Sequence, residues 1–135
     1  MIDGIELFTP DLFSISRVEA RAMDPHQRLL LEAAHNLVSN AGKSGVALRD
    51  SGAGVFIGQW PSDWHSLRTS MSAYSSLAAS LAISANRVSF TYGFRGPSMT
   101  IDTACSSSLV AASVAMASMQ QGVAEFGLVG GAQLQ

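Results

Sequence analysis

The sequence predicts an α/β layered fold, with helices packed on a mostly parallel sheet. Three short apolar runs at 53–58, 98–103 and 126–131 alternate with longer segments of helical character at 24–41, 71–92 and 104–121. The order α, β, α, β, α, β is the pattern of helices laid over a sheet. The run Ala53 to Gly58 is continuously apolar and bounded by glycines, as expected of a strand covered on both faces.

Each element has a local reason. Residues 1–22 carry Phe8, Leu12, Phe13 and Ile15 among polar residues, and Pro10 limits helix length, so they read as turns plus one short helix. Asp24 then caps a helix, with Pro25 at its first position and Gln27 placed for a capping box; Leu30, Ala34, Leu37, Val38 and Ala41 supply the apolar face and Gly42 the stop. After the strand at 53–58, Trp60, Asp63 and Trp64 fall in a loop. Residues 71–92 hold one or two helices, with Ser84 a cap and Gly93 a stop. Ser98 to Thr103 is the second strand. Ala104 to Gln121 is a helix apolar nearly all round and ended by Gly122, and Phe126 to Gly131 is the third strand.

At 135 residues the chain reads as one domain over 1–135, large enough for folding to remove about two-thirds of the unfolded surface from water. Apolar residues make up 47% and charged residues 13%, so little of the chain is charged surface and part of it is expected to be covered by something else. A net charge of −2 with no Lys/Arg cluster argues against nucleic acid as a partner. Leu109 to Met119 is too short to span a bilayer, so no membrane partner is expected. The opening residues, with Asp3 and Glu6, do not read as a signal peptide. A lone cysteine suits a reducing compartment, and a cytoplasmic location is the expectation.

That cysteine, Cys105, is the candidate for chemistry. It lies in Asp102-Thr103-Ala104-Cys105-Ser106-Ser107-Ser108, between the second strand and the third long helix. A thiol at the first turn of a helix meets unpaired N–H groups and the positive end of the helix dipole, which favour the thiolate. The same groups can bind an oxyanion. A buried structural cysteine is the ordinary alternative, but small Ala104 and Ser106 to Ser108 permit a tight turn and close substrate approach, as a nucleophile elbow requires.

The stretch Gly96 to Ala111, GPSMTIDTACSSSLVA, closely resembles the active-site signature of β-ketoacyl synthases, specifically the ketosynthase domains of modular polyketide synthases. The resemblance extends through Met23-Asp24-Pro25-His26-Gln27-Arg28, Gly54-Val55-Phe56-Ile57-Gly58, Ser84 to Phe90 and Gly130-Gly131. It implies a partial thiolase-like layered fold, an internal N-terminal-half fragment without the family's first strand or its C-terminal half. The missing strand would lie between those at 53–58 and 126–131 and leave a gap in the sheet, so that the chain alone is expected to be unstable, rearranged or completed by another chain.

By the same resemblance, Cys105 accepts an acyl group from an acyl carrier protein thioester, and its backbone N–H contributes to the oxyanion hole. Ala104, Ser106 and Ser107 then contact substrate, and no cofactor or metal is used. In the complete enzyme, two histidines of the C-terminal half drive decarboxylative condensation in polyketide or fatty acid biosynthesis. The implied partners are the phosphopantetheine-carrying acyl carrier protein and either a twin chain, paired antiparallel through the strand 98–103, or a complementing ketosynthase chain. The alternative is an inactive truncated ketosynthase that dimerises or docks a carrier protein. Where the family commonly has Gln, this chain has His26; where it has Asn or Ser, this chain has Gln133.

The remaining candidates read as structural. His26 and His35 are nine positions apart on one helix and point to opposite faces; these two and His65 are expected to be solvated or incidental, with no zinc-ligand spacing. Arg28 and Glu32 are spaced to pair. Arg87 is a candidate anchor for a buried carboxylate such as Asp102. Met99, Met116 and Met119 are expected in packing, and Trp60 and Trp64 either close over the core or line an acyl channel.

Overall fold

Val55, Phe56 and Ile57 stand at the centre of the molecule. The structure, a computed structural model, describes residues 7–64 and 80–134. A 3₁₀ turn at Pro10–Phe13 leads into α1 (Arg17–Ala22), α2 (Pro25–Asn40), α3 (Gly45–Leu48), β1 (Gly54–Gln59), α4 (Ala82–Tyr92), β2 (Ser98–Ile101), α5 (Ser107–Gln120) and β3 (Gly127–Ala132). The predicted helical stretch from 71 to 79 lies outside the described residues.

The strands form a parallel sheet in the order β2-β1-β3. This corrects the expected gap. β1 pairs with β3 along its whole length, from Gly54 opposite Gly127 to Gln59 opposite Ala132, and with β2 from Val55 opposite Ser98 to Gly58 opposite Ile101. Both edges of β1 are therefore hydrogen-bonded, and all six of its residues are buried. Among the described residues no gap separates the strands at 53–58 and 126–131.

Side chains alternate across the sheet and divide the core in two. Val55 and Ile57 face α2 and α4, where Leu30, Leu31, Ala34, Val38, Ala85 and Val88 close the larger cluster with Leu128. Phe56 faces the other way, against Ala111 and Ala115 of α5, with Met99, Ile101 and Val114 partly buried around it. The result is helix, sheet, helix.

Caps fix the helix ends. Ser16 and Ser44 accept the N–H of Glu19 and Ala47 at the starts of α1 and α3. The expected stops Gly42, Gly93 and Gly122 all have φ between +66° and +69°. Each closes a Schellman pair, for example Gly42 N–H to Ser39 O with Lys43 N–H to Val38 O. Ser84, expected to cap, instead lies buried inside α4, which begins at Ala82 with no side-chain cap. α5 buries only Ser107, Ala111 and Ala115. Its other face leaves Leu109, Met116 and Met119 exposed, so the two methionines are not packed as expected. An outer apolar face fits the composition's suggestion that part of this chain is covered by another surface. Among the described residues no helix is long and apolar enough to cross a membrane.

Candidate active site

The carboxyl ends of parallel strands are where α/β proteins place their ligands. Here the ends of β1 and β3 and the turn before α5 enclose a cleft of about 720 Å³. Gly58, Gln59, Trp60 and Pro61 come from the first, Gly131, Ala132, Gln133 and Leu134 from the second, and Ala104, Cys105, Ser107 and Ser108 from the turn and helix start. Cys105 is exposed into this space and is not sealed in the core.

The turn that carries it is sharply built. Ala104 has φ 55, in the left-handed region, a conformation that costs an alanine on the order of 1–2 kcal/mol and that the surrounding bonds must hold. Ser107, itself buried, supplies two of them: its hydroxyl donates to Ala104 O at 2.6 Å and accepts the Thr103 N–H at 2.9 Å. Asp102 Oδ1 accepts the Ala104 N–H at 3.0 Å, and the Ser106 hydroxyl reaches Thr103 O at 2.8 Å.

These bonds assign the small residues different jobs. Ala104 and Ser107 line the cleft, but the Ser107 hydroxyl is spent on the turn. Ser106 faces Thr103 and is not among the lining residues. The helix starts at Ser107, three residues later than predicted, so Cys105 precedes the first helical turn. The cap position of α5, Ser106, makes no side-chain cap bond. The N–H groups of the first turn, Ser108 at the cleft wall among them, thus lack side-chain capping and point their dipoles toward this end of the sheet.

His26 is not solvated as expected; it is almost wholly buried. Asp24 Oδ1 accepts both the His26 backbone N–H at 2.7 Å and the ring at Nδ1, 2.9 Å away, while Nε2 accepts the Leu134 N–H at 2.8 Å. For Asp24, burial works to raise the pKa, but the side-chain and backbone hydrogen bonds from His26 outweigh it, with help from the Ser62 hydroxyl, and hold the carboxyl below its ordinary value. A carboxyl depressed in the folded state binds its proton more readily when unfolded. Its contribution is therefore present above the ordinary carboxylate pKa and is lost as pH falls through the lower folded value. Asp24→Asn keeps a capping oxygen, so it is expected to lower stability at neutral pH and to flatten the acid limb below about pH 4, as read by urea unfolding at stepped pH.

Arg87 does not reach Asp102, which lies exposed at the turn. It pairs instead with Glu19 and donates from Nε to Gln27 Oε1 at 3.2 Å, joining α1, α2 and α4 behind the sheet. Its segment was rich in small residues, which signals a buried cation but not which carboxylate meets it. Arg28 and Glu32 form no ion pair among those described; the Arg28 guanidinium lies over the Trp64 ring at 5.6 Å. Burial draws Arg28 below its ordinary pKa, opposed by Asp24 and Glu32. Trp64 donates from Nε1 to Ala22 O at 3.3 Å and closes over the helices, whereas Trp60 lines the cleft. His35 stands edge-on to Phe13, and His65 lies outside the described residues. Among the described residues no three His, Cys, Asp or Glu side chains cluster as a metal site.

The family profile described as "Beta-ketoacyl synthase, N-terminal domain" matches residues 1–135. The chain belongs to the β-ketoacyl synthase family. This ketosynthase chain is 43% identical over 133 residues to Highly reducing polyketide synthase 40 of Fusarium pseudograminearum, covering 96% of this chain and 5% of that protein. It is 42% identical over 135 residues to Polyketide synthase GfsA of Streptomyces halstedii, covering 97% of this chain and 2% of that one. The ketosynthase from module 6 of the bacillaene synthase from Bacillus subtilis 168 superposes with a TM-score of 0.83 at 34% identity, over 100% of this chain and 23% of that chain. The thiolase-like fold expected from the resemblance is thus the fold observed. The chain spans a small fraction of the length of these polyketide synthases.

Proposed function

We propose that this ketosynthase chain carries the acyl-accepting nucleophile, Cys105, of a polyketide-type β-ketoacyl synthase. The observation that carries the reading is the exposure of the cysteine at a tight turn, on a cleft formed at the carboxyl ends of β1 and β3. The thiolate attacks the carbonyl carbon of an acyl thioester borne on the phosphopantetheine of an acyl carrier protein. A new sulfur–carbon bond forms, the old one breaks, and the pantetheine thiolate leaves, with no change in oxidation state. Backbone N–H groups at the turn and the start of α5 face the developing oxyanion, and each such donor is worth about 3 kcal/mol in the transition state. Ala104 shapes the approach, and Ser106 and Ser107 act on substrate through the turn they hold. Decarboxylative condensation with a malonyl-type extender then requires histidines from the remainder of a ketosynthase.

Incubation with a short acyl thioester, followed by peptide mapping by mass spectrometry, is expected to place one acyl group on the peptide containing Cys105. An unmodified chain, or an adduct elsewhere, overturns the proposal.

A second reading, a dimerising or carrier-docking piece, is favoured by β2 at the sheet edge and by the exposed Leu109, Met116 and Met119 of α5. An edge strand offers free N–H and C=O groups for antiparallel pairing with a twin. Native mass spectrometry of the same sample separates the two: a dimer that takes no acyl group supports the second reading alone.

A further inference from the structure

We propose that His26 is a positioning residue for the cleft, fastening the Gln133–Leu134 wall through the Leu134 N–H and releasing it when the imidazole takes a second proton. The hydrogen bonds themselves fix the ring's state. A carboxylate only accepts, so the nitrogen facing Asp24 Oδ1, Nδ1, carries the hydrogen. A backbone N–H only donates, so Nε2, 2.8 Å from the Leu134 nitrogen, is bare. The two neighbours together select one neutral tautomer in a ring that is 1% exposed. A second proton has one place to go, Nε2, and there it meets another donor. Protonation and the Leu134 bond exclude each other.

The bond matters because of where it sits. Pairing of β3 with β1 stops at Ala132, and the two residues beyond it line the cleft together with Ala104 and Cys105. Gln133 Nε2 donates to Leu134 O at 3.3 Å, within the same wall. Past the end of the strand pairing, and among the described hydrogen bonds, His26 ties this wall to α2.

Among the described residues, the charged groups around the ring are few. Asp24 faces it from its own helix end, and Arg28, one turn on, acts on Asp24. Asp63 comes from the loop after β1 that lines the same cleft, and the described residues after β3, Gln133 and Leu134, are neutral. Glu19 and Arg87, near the adjacent Gln27, are paired with each other. The ring is thus held between a carboxylate that accepts from Nδ1 and a backbone N–H that donates to Nε2.

The effect on chemistry rests on the reading of Cys105 as nucleophile; the fastening of Leu134 does not. The test therefore has two readouts on the intact chain, taken across a pH series in which protonation of the His26 ring is followed by its own NMR signals. The first is the amide-exchange protection of Leu134, corrected for intrinsic exchange. The second is acyl transfer to Cys105 from a short acyl thioester, expressed as the ratio of the unaltered chain to His26→Gln. A glutamine amide offers donor hydrogens on its nitrogen and an acceptor oxygen, and so can hold both Asp24 and Leu134, but it does not titrate.

Leu134 protection is expected to fall about tenfold as His26 protonates, the equivalent of one lost hydrogen bond, and to stay flat in His26→Gln. The acyl-transfer ratio is expected to fall with it toward low pH. Flat Leu134 protection through the His26 titration, followed by the ring's own NMR signals, overturns the proposal even if no variant can be made. Titrating protection with no acylation at any pH keeps the fastening and overturns the nucleophile reading instead.

Discussion

Gly58→Ala is expected to destabilise the chain by about 3 kcal/mol, the upper end of the usual overpacking range, and to slow acyl transfer to Cys105 by about 100-fold, the scale of a 1 Å misplacement. A β-carbon on Gly58 would lie 2.5 Å from both Ser107 C and Ser108 N, and 2.7 Å from Ser107 O. All three are backbone atoms at the start of α5, so no flexible side chain can swing away. The helix must retreat from β1, and Ser107 carries the whole turn with it. Its hydroxyl is what holds Thr103 and Ala104 in place around Cys105. Gly42→Ala provides the contrast. Gly42 has φ +66 with nothing within 4 Å of the added carbon, so it is expected to cost about 1 kcal/mol from the left-handed backbone alone and to leave acyl transfer unchanged. Urea unfolding midpoints and thioester kinetics below the transition measure both. An unaltered midpoint in Gly58→Ala would show that the helix does not approach the strand this closely.

The parts of this architecture legible in sequence are those with local causes. Gly42, Gly93 and Gly122 mark helix ends because a Schellman closure needs a left-handed residue at one place, and glycine takes it without a penalty. The strand at Gly54 was legible because a parallel strand buried on both faces is apolar at every position. Cys105 stood out because small residues and a strand end surround it. Non-local choices were not legible. Nothing near Arg87 says that Glu19, 68 positions away, and not Asp102, will meet it. Nothing near His26 announces Leu134, 108 positions on, so an imidazole that looked incidental became one of the most buried polar groups. The predicted gap between β1 and β3 failed for the same reason. Strand order is decided by which edges find partners in three dimensions, and β1 found β3.

The attachment of α5 to the sheet depends on one ring, and Phe56→Ala is expected to cost about 4 kcal/mol. The buried positions of the helix are Ser107, Ala111 and Ala115, all small, so the helix brings little volume of its own to the interface. Phe56, fully buried, fills it. Its ring spreads over glycines on both sides: an added carbon on Gly54 would come within 2.5 Å of Phe56 Cε2, and one on Gly127 within 3.4 Å. Removing the ring therefore leaves a cavity whose glycine and alanine walls have no side chain to fill it and which only the partly buried Met99, Ile101 and Val114 border, so the cost lies in the cavity as much as in the lost burial. Phe56→Leu keeps most of the volume and is expected to lose about 1.5 kcal/mol or less. Because α5 begins at the residue that clamps the Cys105 turn, the larger substitution is also expected to lower exchange protection along Ala111 to Ala115 before the α2 and α4 side of the sheet is affected. Urea unfolding gives the energies, and residue-resolved exchange gives the order. Equal loss of protection on both sides of the sheet, or an alanine variant no weaker than the leucine one, would mean that the outer helix is held by something other than Phe56.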